Sequence, residues 1–133
     1  MHIQITTPEK IVLNEDVDSV TIPTTTGEIT VLPHHIPLVS QIAPGILVMK
    51  KGGKEEDFVL QGGFVQVTEK EILILADYAV AGKDVSVAQA EDAKKRAERA
   101  MKEKANDRDF ALAELEFKRA ILELKAASRK RAH

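Results

Sequence analysis

Residues 56–83 read EDFVLQGGFVQVTEKEILILADYAVAGK, and the fold turns on how this stretch is punctuated. Runs rich in β-branched and aromatic residues, Glu56 to Gln61, Phe64 to Thr68 and Ile72 to Ala76, are separated by Gly62-Gly63 and by Glu69-Lys70. That spacing predicts successive strands of a meander, with the glycine pair as a turn. In Ile72-Leu73-Ile74-Leu75 every position is apolar, which predicts a strand covered on both faces. The stretch ends at Gly82-Lys83, beyond which no Gly or Pro occurs. A boundary between an N-terminal β unit, 1–83, and a C-terminal helical unit, 84–133, is placed there.

Working towards the N-terminus, the same pattern continues. Ile3 to Thr7 alternates, Val17 to Ile22 and Glu28 to Leu32 flank Thr26-Gly27, and Gly45 to Lys51 runs into Gly52-Gly53. Short strands at such intervals predict a sandwich or barrel. Pro23, Pro33, Pro37 and Pro44 lack a backbone donor and belong at strand ends or edges.

Towards the C-terminus, Ser86 followed by Gln89 predicts a capped helix from about Val87 to Lys104. Asn106-Asp107-Arg108-Asp109 is a polar turn in which Asp107 or Asp109 can cap a second helix reaching about Ser128. So short a turn makes the two helices antiparallel neighbours, and the fold class is α+β. Ala90, Ala93, Ala97 and Ala100 form a narrow stripe that Phe110, Ala113, Phe117, Ala120, Leu124 and Ala127 can fill from the second helix. That second helix also carries Leu112, Leu115, Leu122 and Ala126 on nearly its opposite side, so a second covering surface is needed. Either the β unit or another protein can supply it, and the periodicity leaves both open.

Composition excludes several classes of function. The 133 residues hold 19 Lys+Arg against 21 Asp+Glu, a balance that gives no general attraction for nucleic acid. The charges are nevertheless divided, six Lys against eleven acidic residues in 1–83 and thirteen basic against ten acidic residues in 84–133, so the helices suit an acidic protein surface. With no Cys there is no disulfide framework, thiolate metal site or cysteine nucleophile. No apolar run has the roughly 18–20 residues of a membrane span, and Met1-His2-Ile3-Gln4 does not open like an export signal.

No catalytic constellation emerges. Lys51-Gly52-Gly53-Lys54 lacks the spacing of a phosphate loop, adjacent His34-His35 point to opposite faces of an extended segment, and Glu55-Glu56-Asp57 reads as a solvated turn. No catalytic, metal or cofactor site is expected. An enzyme would need a cleft with titratable groups of perturbed pKa, and a free-standing β-sandwich adaptor or ligand-binding module, dimerising through its helices, is the alternative from another class.

One sequence order carries a resemblance. A strand ending in Thr6-Thr7-Pro8 is followed by Gly27-Glu28-Ile29-Thr30-Val31-Leu32-Pro33-His34-His35-Ile36-Pro37-Leu38, by Gly62-Gly63-Phe64-Val65-Gln66-Val67, by Ile74-Leu75-Ala76-Asp77 and by the helical hairpin. Over essentially its whole length the chain resembles the epsilon subunit of F-type ATP synthases. The resemblance implies an antiparallel β-sandwich of about ten strands and a movable two-helix hairpin. It also implies a non-catalytic rotor part that couples ion-driven rotation of the c-ring to the gamma subunit, peripheral to the cytoplasmic face of a bacterial membrane. Membrane association would be through the complex only, with no nucleic-acid partner.

Glu28, His34 and His35 match the family region that meets the c-ring and gamma, although His34 stands where the family usually has Gly. Lys118, Arg119, Lys125 and Arg129 are the implied cations that would approach an acidic segment of beta, within its assembly with alpha, and restrain ATP hydrolysis. Some members bind ATP through an Ile/Leu-Asp-x-x-Arg-Ala motif. The matching positions here include Val85, Ser86 and Gln89, without the Asp or the Arg. Arg96 and Arg119 match supporting positions, while Val80 and Glu123 replace a Glu and an Arg. The nucleotide site is therefore expected to be degenerate.

Overall fold

A computed structural model describes residues 1–103 and 106–132, the last three by backbone alone. Eight strands come first: β1 (His2–Thr6), β2 (Ile11–Asp16), β3 (Ser19–Thr24), β4 (Gly27–Val31), β5 (Leu38–Gln41), β6 (Gly45–Lys51), β7 (Lys54–Val67) and β8 (Glu71–Ala81). A 3₁₀ turn over Gly82–Asp84 leads to α1 (Val87–Glu103) and α2 (Asp107–Ala132). The expected end of the first helix at Lys104 lies outside the described residues.

The two long strands organise the rest. β8 pairs antiparallel with β7 along nearly its whole length, from Phe58↔Ala81 to Val67↔Ile72. On the other edge of β7, residues 54–60 pair with β6 while residues 64–67 pair with β5. The first part of β8, Glu71 to Leu75, pairs with β1. One layer is therefore β2-β1-β8-β7-β5 and the other β8-β7-β6-β3-β4. Counting β7 and β8 once in each layer makes ten strand segments from eight strands. This is the expected sandwich with one departure, because β1 lies parallel to β8 and the sheet is mixed.

Gly62-Gly63 is not the turn that its composition predicts. Both residues lie inside β7, with φ of 69° and 103°, and the pairing with β8 lapses at Gly62 and resumes in the same register at Gly63↔Ala76. The positive φ that could close a hairpin instead bends one strand from one layer into the other. Gly52-Gly53 does form a tight turn, at φ 58° and 78°, joining Lys51 to Lys54 as a two-residue hairpin requires.

Ile3, Ile5, Ile22, Leu47, Phe58, Leu60, Val65, Ile72 and Ile74 fill the space between the layers. Ile72 to Leu75 are not covered on both faces: Ile72 and Ile74 point into the core, whereas Leu75 is 51% exposed. The doubly covered segment is Phe58-Val59-Leu60-Gln61, all four buried, with Phe58 and Leu60 in the core and Val59 and Gln61 on the outer face. α2, which packs along β7, is what covers that face.

Ser86 Oγ accepts from the Gln89 amide at 3.3 Å, as expected of the first cap. The second cap is Asn106, not Asp107 or Asp109. Its Oδ1 accepts from the Asp109 amide at 2.8 Å, leaving both acidic residues inside the first turn, where they complement the helix dipole. Ala90 and Ala97 of α1 and Ala113, Ala120 and Ala127 of α2 are buried in the seam between the helices.

Gly63 has no room for a side chain, because a Cβ there would overlap the carbonyl oxygen of Leu75. Gly63→Ala is expected to cost about 3 kcal/mol or more in urea unfolding, through strain in the shared ladder. Gly53→Ala, where a Cβ meets nothing within 4 Å, should cost only about 1 kcal/mol. Equal costs would contradict the role given to the bend.

Candidate functional site

Among the described residues no single cleft gathers the candidate residues; they are spread over surfaces. On the outer side of the layer containing β1 and β2, Phe64 pairs with Leu75, Leu75 with Thr6, and Thr6 with Ile11. Four adjacent strands about 4.8 Å apart thus present one row roughly 14 Å long. Its apolar members are open to solvent, Phe64 at 56%, Leu75 at 51% and Ile11 at 57%, and Val39 on β5 extends the patch. A largely apolar, exposed row on a sheet face is the mark of a partner surface.

The sequence reading misses this row. Its signal was present in Ile72 to Leu75, whose apolar residues fall on both faces, but periodicity cannot distinguish an outer face covered within the chain from one covered by a partner.

The loop from Leu32 to Pro37 joins β4 to β5 and exposes Leu32 and Ile36. His34 is exposed, with a φ of 67°, so it adopts the left-handed backbone for which Gly is the usual residue. His35 is half-buried, and neither ring nitrogen has a hydrogen-bond partner among the described residues. Glu28 is exposed on β4 opposite Pro23. The three residues therefore lie on β4 and the loop that follows it.

The hairpin rests on the sandwich through α2, and the floor is the cross-strand pair Gln61↔Tyr78 on the outer face of β7 and β8. Gln61 Nε2 donates to the Leu115 carbonyl at 3.2 Å, and Gln61 Oε1 accepts from Arg119 Nε at 2.7 Å. The Arg119 guanidinium lies 3.9 Å from the centre of the Tyr78 ring, within cation–π range. The Tyr78 hydroxyl donates to Glu123. Burial first, and then the Glu123 carboxylate, push the phenol well above its ordinary pKa, so it remains a donor throughout the physiological range. Nearer the C-terminus, Ala126 is fully buried beside Gly82.

Arg129 faces Glu55 at 3.7 Å and Asp57 at 2.8 Å, the latter off the line of a hydrogen bond and therefore an ionic contact. A cleft of about 600 Å³ adjoins this point, lined by Lys54, Glu56, Lys83 and Arg129 among others. Lys83 pairs with Glu56 at 3.2 Å, so carboxylates and cations are matched within its walls.

The four expected brake cations consequently divide. Arg119 and Arg129 are held by the sandwich, whereas Lys118 and Lys125 are exposed, Lys118 pairing with Glu114 of its own helix at 3.5 Å. The candidate nucleotide residues are also placed: Ser86 and Gln89 form the helix cap, Arg96 pairs with Asp92 at 3.2 Å, and Val85 ends the 3₁₀ turn. Apart from that cap, no described contact joins any two of Val85, Ser86, Gln89, Arg96 and Arg119. Gln61, Tyr78, Glu123 and Asp57 were not foreseen as docking residues. Their partners lie 41 or more residues away along the chain, and no local pattern encodes such pairs.

Among the described residues no group of three or more His, Asp or Glu could hold a metal, and no helix is long and apolar enough to cross a membrane.

Two family models match in tandem: the ATP synthase Delta/Epsilon chain beta-sandwich domain over residues 1–82, and the Delta/Epsilon chain long alpha-helix domain over 83–128. Among curated proteins, the ATP synthase epsilon chain of Desulforamulus reducens is 38% identical across 95% of this chain and 96% of its own. That of Chromobacterium violaceum is 36% identical across 100% and 98%. A chain in the cryo-EM structure of the Euglena gracilis mitochondrial ATP synthase, comprising OSCP, F1 and c-ring, superposes with a TM-score of 0.78 at 29% identity, covering 94% of this chain and 79% of that one. With its sandwich and its hairpin each matched, and near-complete coverage of these relatives, the chain belongs to the ATP synthase epsilon-chain family.

Proposed function

We propose that this chain is a non-catalytic central-stalk subunit of an F-type ATP synthase. Residues 1–83 bind gamma and the c-ring, and residues 84–133 form a regulatory hairpin. In this role it transmits ion-driven rotation to gamma and restrains ATP hydrolysis when the hairpin leaves the sandwich for the alpha and beta subunits. It works at the cytoplasmic face of a bacterial membrane, held there by the complex.

The observation that carries the stalk role is the exposed row containing Phe64, Leu75 and Ile11, which gives the sandwich an apolar face with no occupant among the described residues. Gamma is assigned to this row. Glu28, His34 and His35, on β4 and its following loop, are assigned to the contact between gamma and the c-ring. Lys118, Arg119, Lys125 and Arg129 are assigned to an acidic segment of beta, by charge complementarity.

Co-purification tests the stalk role. Wild-type chain should elute with gamma at one-to-one stoichiometry, and Phe64→Glu should weaken that association at least tenfold. Because Phe64 is exposed, the substitution should leave the unfolding midpoint of the isolated chain nearly unchanged. Retention of gamma by the variant would remove the assignment of the row.

The nucleotide reading rests on the missing Asp and Arg near Ser86 and Gln89, and on Arg96 and Arg119 having partners elsewhere. Without a bidentate guanidinium for phosphate, ATP should not bind at physiological concentration. Calorimetric titration should show no heat of binding below millimolar ATP, and submillimolar affinity would overturn the reading.

A further inference from the structure

One α-helical turn straddles one cross-strand pair. Arg119 and Glu123, four residues apart on α2, meet Gln61 and Tyr78, which face each other across β7 and β8. Both ends of the Gln61 amide are used on α2, one by the Leu115 carbonyl and one by Arg119, and the side chain is almost fully buried. The Tyr78 ring carries the Arg119 guanidinium while its hydroxyl holds Glu123. These four contacts join residues 41 to 58 positions apart, and each requires the hairpin to be docked.

A small apolar contact accompanies them. Val59 and Ala126 are fully buried where α2 meets the sandwich, while Leu112, Leu115 and Ile121 remain exposed on the docked helix. The polar cluster supplies the directional contacts of the docked state and so shifts the docked-to-undocked ratio. Hydrogen bonds exchanged with water on release give a modest net preference, which suits a reversible contact.

We infer that Gln61 and Tyr78 form a latch on the sandwich that keeps Arg119 from the acidic surface of a neighbouring subunit, so that the sandwich itself regulates the brake. Glu123 is the hairpin's counterpart to the latch, and Arg129 on Asp57 is a second pin at the C-terminal end. The inference rests on the proposed braking role, but the latch itself is a property of the isolated chain. Gln61 and Tyr78 lie outside the hairpin, so changing them alters its release without altering what it carries to a partner.

The chain has no native cysteine, so dyes at Glu69→Cys and Arg108→Cys can report docking by energy transfer. Tyr78→Phe and Glu123→Gln should each shift the ratio on the order of tenfold towards the undocked state, and the double variant should shift it less than additively. Circular dichroism should remain that of wild type. In the reconstituted ATP synthase, Tyr78→Phe should lower hydrolysis severalfold, since more hairpin is free to brake. Wild-type energy transfer in both single variants would overturn the latch. Lowered transfer with unchanged hydrolysis would support the latch and overturn the braking role.

Discussion

A single antiparallel ladder, β7 against β8, belongs to both layers of the sandwich, and nearly every other contact is arranged around it. The constraint that makes this workable is local. At Gly63 a backbone without Cβ passes so close to the Leu75 carbonyl that any side chain would collide with it, and there the strand changes layer. On one side of the bend, β7 and β8 share their layer with β6, β3 and β4. On the other, they share it with β5, β1 and β2.

This arrangement gives the ladder two outer surfaces of different character. Beyond the bend, the row from Phe64 to Ile11 is largely apolar and open. Before it, Gln61 and Tyr78 are covered by α2 through hydrogen bonds and a cation–π contact. Apolar burial is worth about 25 cal/mol per Å² and favours lasting attachment, whereas each exchanged hydrogen bond is worth only about 1 kcal/mol net. The first surface suits a permanent partner and the second a detachable one. A helix held by a few such bonds and a small apolar contact can be moved by a competitor with about 5 kcal/mol of differential affinity.

Much of this could be read from the residues alone. Gly52-Gly53, Ser86 before Gln89 and the alanine seam are local signals whose structural consequences depend on near neighbours. Gly62-Gly63 and Ile72 to Leu75 depart from their local signals for a common reason: the outcome depends on what lies across the sheet. A glycine pair permits a positive φ but does not determine whether the chain reverses or bends, and an all-apolar run does not reveal what covers it. Asn106 does not stand out as the cap in the sequence, because two aspartates close by are equally capable chemically. The docking cluster was illegible, since Gln61 and Arg119 are meaningful only as a pair and are 58 residues apart. For the candidate contacts, chain position gave residue types and approximate places, but only the fold separates the engaged Arg119 and Arg129 from the exposed Lys118 and Lys125.

The central claim is that the hairpin must leave the sandwich to restrain hydrolysis. The geometry supplies a direct lock, because a Cβ built on Gly82 lies 3.5 Å from that of Ala126, within the range a disulfide spans. The measurement is the ATP hydrolysis rate of the reconstituted complex carrying Gly82→Cys with Ala126→Cys, oxidised and then reduced. The account predicts severalfold faster hydrolysis in the oxidised complex, falling to the wild-type rate on reduction. Equal rates in the two states, with the disulfide verified, would contradict it.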